Sequence, residues 1–417
     1  VLPGPFSTLS QLSALVLTAG TTNSHAPLSR WDPTHARGAF ASAAYGAFVA
    51  RGIFASDRAA FGISTTEARG FEPIVMLVLE TSYGVFKTSA STPSSRSQLI
   101  NVPIGFFLGA GGSHSSQGGD DPANKPSSVY SGTSGALSVL SGRVSFALGL
   151  QGPCASYDTA CSASLVANHG GVRGLQRVEC ASALSAGVNM ILEPSAMRGN
   201  AVAGFTSVGG RSHTFDARAD GYARGEAIDA VACRLGAGGE TVPLYAAMLG
   251  SAIRQDGRSA SLTAPNGQAQ QGVLGASLAD AHSEADEVAV LEAHGTGTAL
   301  GDPIEAGSLS SAVLVPRGPS SNALQLGSVK ANVGHMEPSA GMVGLLKVCR
   351  TLAVAMAAPN AQLRTLNLHV GGALHERGAA RPRVARRNGA PHRRSTRHAR
   401  APQQRHERAQ RVAIHPN

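Results

Sequence analysis

The chain has 417 residues, 42% of them apolar and 15% charged, with 12 Phe, 6 Tyr and 1 Trp, so its bulk is neither disordered nor coiled-coil nor collagen-like and can bury a sizeable core. The formal charge of +9 suggests a nucleic-acid ligand only until it is located: from His375 onward there are 12 Arg and 2 Glu, and everything before that sums to −1. No apolar run approaches the roughly 18 residues that span a bilayer, and five irregularly spaced cysteines without a CxxC pair argue against a disulfide framework or a zinc site and for a reducing, cytoplasmic setting.

Taken in order, the first thirty residues offer a short periodic stretch and no convincing strand before Arg30-Trp31-Asp32. Ile74 to Glu80 (IVMLVLE) is a buried helix or strand that periodicity cannot resolve, and Val102 to Leu108 (VPIGFFL) reads as a buried strand entering a loop. Ser, Gly, Asp, Asn and Pro dominate Gly111 to Gly132, which predicts an exposed loop. Further on the pattern alternates: strand from Glu287 to Ala293, helix from Ile304 to Val313, strand from Ala323 to Val329, helix from Gly341 to Ala357. Such alternation predicts an α/β architecture with a mainly parallel or mixed sheet under helices.

Residues 373–417 are of another kind, rich in Arg, Ala, His and Pro with almost no large aliphatic side chains. Nothing there predicts a core. Three readings apply: a disordered basic extension, an arm for RNA or DNA, or an out-of-frame translation, and the last is preferred.

Candidate chemistry begins at Tyr157 to Leu165 (YDTACSASL), where Cys161 sits between a strand and a helix-compatible run reaching Arg177. Free N–H groups and the positive helix end favour a thiolate there and can hold an oxyanion, so the thiol pKa is expected to fall. Cys154 lacks that setting. His294, in EAHGTGTALGDPIEA, and His335, in GSVKANVGHMEPSAG, both follow an apolar strand and enter a glycine turn. Open α/β sheets place their sites at such strand ends.

These segments resemble the β-ketoacyl synthase domain of modular, type I polyketide synthases, within the thiolase-like condensing enzymes. The resemblance runs from about Arg30 to about Val370 and is carried by RWD at Arg30, FGISTTEA at Phe61, DTACSASL at Asp158, FDARADGYARGEA at Phe215, QDGRSASLTAPNG at Gln255, EAHGTGTALGDPIEA at Glu292 and GSVKANVGHMEPSAG at Gly327. It implies a layered αβαβα fold of two similar halves, incomplete at both ends: residues 1–238 with the nucleophilic cysteine and residues 239–372 with the histidines. It also implies decarboxylative condensation of an enzyme-bound acyl thioester with malonyl-acyl carrier protein, in polyketide or fatty acid biosynthesis. Cys161 would be acylated, and His294 and His335 would assist decarboxylation and hold the enolate oxygen. Lys330 would fix His335, with Glu337 as its ionic partner, and Thr296 and Thr298 would bind the phosphopantetheine arm. The resemblance requires no metal and no bound cofactor. Its partners would be acyl carrier protein and a second copy in a homodimer, with no membrane and no nucleic acid.

Three departures stand out. The family's first strand, ahead of Leu2 to Gly4, is missing, and Phe71-Glu72-Pro73-Ile74-Val75-Met76 replaces a segment close to MDPQQR. After Asn367, His369 and Val370 the expected GFGGTNAH-type segment, with its core strands and second oxyanion N–H, gives way to the arginine-rich residues. These departures favour an impaired fragment that only binds carrier protein or synthase partners as the alternative. Nucleic-acid binding through the basic tail and a papain-like hydrolase are the weaker rivals.

Overall fold

The computed structural model describes residues 1–32, 44–50, 53, 55–88, 95–111, 136–236, 245–318 and 321–375, with three short strand segments beyond them. Residues 112–132 of the loop predicted between Gly111 and Gly132 lie outside that set. The periodic stretch near the start is helix α1 (Leu9–Leu17), opened by a capping box in which Thr8 accepts from the Gln11 N–H while the Gln11 side chain accepts from Thr8. Ile74 to Glu80 belongs to helix α2 (Pro73–Thr88). Its residues from Ile74 to Leu79 are all buried, so no polar face marks the helical period.

The first sheet is built on β1 (Ile104–Ala110), buried at every position as its uninterrupted apolar run requires. β2 (Cys154–Tyr157) and β3 (Ser182–Asn189) flank it in parallel, and β4 (Ala227–Cys233) closes the order β2-β1-β3-β4 antiparallel to β3. α2 and α3 (Leu137–Leu148) cover one face of this sheet in a cluster that includes Val75, Val78, Leu108, Leu148 and Leu184. On the other face lies α4 (Ala163–Gln176), through Ala167 and Leu175 against Phe107 and Ala183, and α5 (Ser195–Val202) follows β3.

The second half repeats the plan. β5 (Val288–Glu292) and β6 (Gln325–Gly327) are parallel neighbours, covered outside by α6 (Gly267–Asp280) and α7 (Gly301–Leu309), which a π-helical turn prolongs through Ser310–Leu314. α9 (Ala340–Val354) stands between the halves, touching α4 on one side and β5 on the other. Helix, sheet, helices, sheet and helix thus form the expected five layers. Among the described residues, no helix is long and apolar enough to cross a membrane.

The arginine-rich stretch departs from its expected lack of structure. β7 (Arg383–Val384) pairs in parallel with β6, and β8 (Arg411–Ile414) pairs in parallel with β5, giving the order β7-β6-β5-β8. His392–Arg393 pairs antiparallel with Met356–Ala357. The remaining residues after His375 lie outside the described set.

The start of α4 is set by a close approach. A Cβ at Gly109 of β1 would lie 2.3 Å from the Ser164 nitrogen and 2.5 Å from the Ala163 carbonyl carbon, and neither backbone atom can yield. Gly109→Ala is therefore expected to lower stability by about 1–3 kcal/mol and to displace the start of α4. Urea unfolding reads the first effect, and slower acylation of Cys161 reads the second.

Candidate active site

β2 delivers the chain to Tyr157, a 3-10 turn spans Ala160–Ser162, and α4 begins at Ala163. Cys161 thus sits at the predicted strand-to-helix turn. Ala160 takes φ +52°, a left-handed conformation costly for a residue with a Cβ and held by its surroundings. Ser162 anchors the turn by donating from its hydroxyl to the Thr159 carbonyl, 2.9 Å away.

The second half supplies the histidines. β5 ends at Glu292 and the chain enters the His294 loop, which two acids at the start of α7 hold in place. Glu305 accepts from the His294 N–H at 2.6 Å and the Gly295 N–H at 2.8 Å, while Asp302 accepts from the Gly297 N–H at 3.0 Å and the Phe215 N–H at 2.7 Å. Burial raises the Asp302 pKa to about 7 despite these donors. A Cβ on Gly295 (φ +50°) would meet Ser328 Cβ at 2.6 Å, which is why glycine follows the histidine. β6 leads through Ser328 and Val329 into the one-turn helix α8 (Lys330–Val333), and His335 follows it. His335 is locked against an earlier segment: its N–H donates to the Ala223 carbonyl at 2.6 Å, and its carbonyl accepts from the Gly225 N–H at 2.8 Å.

The three predicted catalytic side chains converge. The Cys161 sulfur and ring nitrogens of His294 and His335 all lie within 4.8 Å of one another, with the imidazoles edge to face at 5.4 Å between centroids. Tyr222 packs edge-on against His335 at 4.8 Å. His335 is buried, and burial, Lys330 and Arg224 together hold its pKa well below the ordinary imidazole range, so it is neutral. Its Nδ1 accepts from the Glu337 N–H at 3.1 Å, which leaves the proton on Nε2. His335 is therefore a neutral hydrogen-bond donor through Nε2. Three soft donors so close could suggest a zinc ligand set, but a ligating Nε2 must shed its proton and turn an Nδ1–H against the Glu337 N–H. The residues fit proton-donor chemistry better than metal binding.

Two expectations need correction. The Cys161 thiol is not poised below its usual range: burial raises its pKa, ahead of the opposing pull of Lys330 and its own backbone N–H, and Glu337 raises it further. The sequence showed the helix end but not the desolvation. Nor is Glu337 the partner of Lys330. It forms a two-pronged ion pair with Arg224, Nε to Oε1 at 2.7 Å and Nη2 to Oε2 at 2.6 Å, and also accepts from Asn200 Nδ2 at 3.1 Å. Lys330 is buried near the site and its pKa is lowered by desolvation, with Glu292 the foremost opposing charge, then Cys161, Glu305 and Asp302. Glu292 itself pairs with Lys347 at 2.5 Å and accepts from the Val329 N–H.

Thr296 and Thr298 are adjacent, their hydroxyl oxygens 3.3 Å apart, and the Thr298 hydroxyl accepts from the Gly301 N–H at 3.1 Å. Both stand in the same loop as His294. Sequence reasoning missed Arg224, Tyr222, Asp302 and Glu305, although the two acids lie in the His294 motif at the start of a predictable helix and Arg224 in DGYARGE. A further missed pair joins two of the motifs: Arg30 of RWD bridges Glu226 of RGE at 2.9 Å, both side chains nearly inaccessible.

Comparison with known proteins gives the family. Residues 2–232 match the family model described as beta-ketoacyl synthase, N-terminal domain, and residues 245–364 match beta-ketoacyl synthase, C-terminal domain. The chain belongs to the β-ketoacyl synthase family. It is 36% identical over 377 residues to a phenolphthiocerol/phthiocerol polyketide synthase subunit of Mycobacterium tuberculosis, an alignment covering 88% of this chain and 20% of that protein. It is 40% identical over 298 residues to pikromycin polyketide synthase component PikAII of Streptomyces venezuelae, covering 70% of this chain and 8% of that one. The chain thus spans a fifth or less of these curated relatives. Among solved structures, the oxazolomycin ketosynthase domain OzmH KS7 of Streptomyces albus superposes with a TM-score of 0.81 at 28% identity over 91% of this chain and 65% of that one. The ketosynthase from module 6 of the bacillaene synthase of Bacillus subtilis does so at 0.76 and 26%, over 87% of this chain and 61% of the other. The layered architecture is that of the thiolase-like ketosynthases, and the two matched regions fall in the two halves described above.

Proposed function

We propose that this ketosynthase domain catalyses carbon–carbon bond formation by decarboxylative condensation, as an acyltransferase acting on thioesters carried by the phosphopantetheine of an acyl carrier protein. The observation that carries this reading is the convergence of one thiol with two imidazoles, one of them a neutral Nε2–H donor. In the first step Cys161 loses its proton and its sulfur attacks the carbonyl of an acyl thioester, expelling the carrier thiol and leaving an acyl-cysteine. Malonyl thioester then binds, and loss of CO2 leaves an enolate whose oxygen receives hydrogen bonds from the His335 Nε2–H and from His294. A neutral, buried Nε2–H held in place is suited to that developing charge. The enolate carbon attacks the acyl-cysteine carbonyl, the Cys161 N–H receives the tetrahedral oxyanion, and the thiolate leaves to give a β-ketoacyl thioester.

Lys330, buried beside the thiol, supplies positive potential as the thiolate forms. Thr296 and Thr298 would hydrogen-bond the pantetheine arm beside His294. The edge position of β2, next to Cys161, supports a homodimer through sheet continuation, and scattered light on the purified protein gives its mass directly. Acyl transfer is tested by mass spectrometry after incubation with an acyl-N-acetylcysteamine thioester. The reading requires one acyl group, mapped to Cys161; an unmodified protein or an acyl group elsewhere contradicts it.

A further inference from the structure

Why Glu337 is where it is requires an explanation beyond the reaction itself. The residue takes φ +45°, which is costly for a side chain with a Cβ, and its backbone N–H donates to His335 Nδ1. Its carboxylate is gripped by Arg224 through Nε and Nη2 and by Asn200. Arg224 is itself buried, with Nη1 3.5 Å from Met197 Sδ, and the residues on either side of it make the two backbone hydrogen bonds that flank His335. One loop thus holds the imidazole from behind and, through a planar fork, the residue that donates to it.

We infer that Arg224 is a positioning residue: its fork on Glu337 fixes the backbone N–H that selects the Nε2–H tautomer of His335, and so keeps a proton donor facing the thiol. The inference rests on the condensing function proposed above, which assigns that donor its task. A lysine could supply the charge but not the two parallel hydrogen bonds, so its substitution separates charge from geometry. Arg224 acts in a second way by proximity, since its charge opposes protonation of His335. The groups facing His335 are Arg224 and Tyr222 from the loop, Lys330 from α8, Glu337 from its own turn, and Cys161 and His294 across the site. Losing Arg224 therefore removes one of two positive neighbours and leaves Lys330.

The experiment compares the full chain with Arg224→Met, Arg224→Lys and Glu337→Gln. Acyl loading of Cys161 is measured with an acyl-N-acetylcysteamine thioester, CO2 release with malonyl-N-acetylcysteamine, and the His335 tautomer with ring-nitrogen NMR on 15N-histidine-labelled protein. The parent is expected to show a single neutral Nε2–H tautomer from about pH 5.5 to about pH 7.5. Arg224→Met should lower CO2 release at least about tenfold, leave acyl loading within about twofold, and move the His335 nitrogens toward a tautomer mixture with protonation at higher pH. Arg224→Lys should fall between, and Glu337→Gln, which keeps one prong, should show the same changes in weaker form and serves where the methionine variant does not fold. Parent-like nitrogen shifts in Arg224→Met, or loading and CO2 release falling in step, overturn the inference. If the parent itself releases no CO2 the condensing function fails, while the nitrogen shifts still decide what Arg224 does.

Discussion

Replacing His335 by alanine is expected to lower malonyl decarboxylation by about 100- to 1,000-fold, the usual loss when one preorganised donor to a developing oxyanion is removed. The imidazole is neutral, buried and oriented by the Glu337 N–H, so a water entering the vacated space would lack both its direction and its dry surroundings. His294→Ala should act in the same direction, since that ring lies edge to face with His335 and reaches within 4.8 Å of the thiol. Acylation of Cys161 should survive in both variants, because its oxyanion is received by the helix-end N–H. The check is CO2 release from malonyl-N-acetylcysteamine beside acyl loading of the same preparations. Parent-rate decarboxylation by either variant removes that histidine from the proposed step.

Acyl loading itself should vanish in Cys161→Ala and rise with pH in the parent. The direction follows from the thiol pKa, which burial raises above its ordinary value: below that pKa, each pH unit multiplies the thiolate about tenfold. Loading without assistance would therefore climb from neutral pH to beyond about pH 8.5, the value for a free thiol, with no plateau at neutrality. Small alkylating agents should not single out Cys161, since Cys154 is exposed. A substrate thioester should, because among the described residues Cys161 alone stands with two histidines in such a cluster. Burial raises the pKa of Cys233 to about 11, which makes it a poor competitor. A plateau of loading well below pH 8, or equal acylation of Cys154, would contradict this account of the thiol.

The residues of the Cys161, His294 and His335 cluster stood out because each lies where a short local pattern changes, from strand to helix at Cys161 and from strand to glycine turn at His294. His335 follows a one-turn helix rather than the strand itself, yet the glycine before it and the motif around it carried the assignment. What the sequence could not show depends on packing between distant segments. Glu337 lies seven residues after Lys330, which invites pairing, yet its partner Arg224 is 113 residues away in sequence. The positive-φ glycine at 334 (φ +74°) turns the chain so that His335 and Glu337 meet that segment instead. The direction of the Cys161 shift was missed for the same reason: a helix end is a local feature, desolvation is not. α2 stayed ambiguous because Ile74 to Leu79, buried on every side of the helix, lack the polar stripe that reveals its period. The strands contributed by residues after His375 were illegible from composition, since their pairing is between backbones.

The most direct measurement is to supply the intact chain with an acyl-N-acetylcysteamine thioester and malonyl-loaded acyl carrier protein, and to identify the carrier-bound product by mass spectrometry. The account predicts a β-ketoacyl carrier longer than the acyl donor by two carbons, formed with release of one CO2 and lost in Cys161→Ala. Hydrolysis of the acyl donor with malonyl-carrier unchanged, or condensed product formed equally by Cys161→Ala, would contradict it.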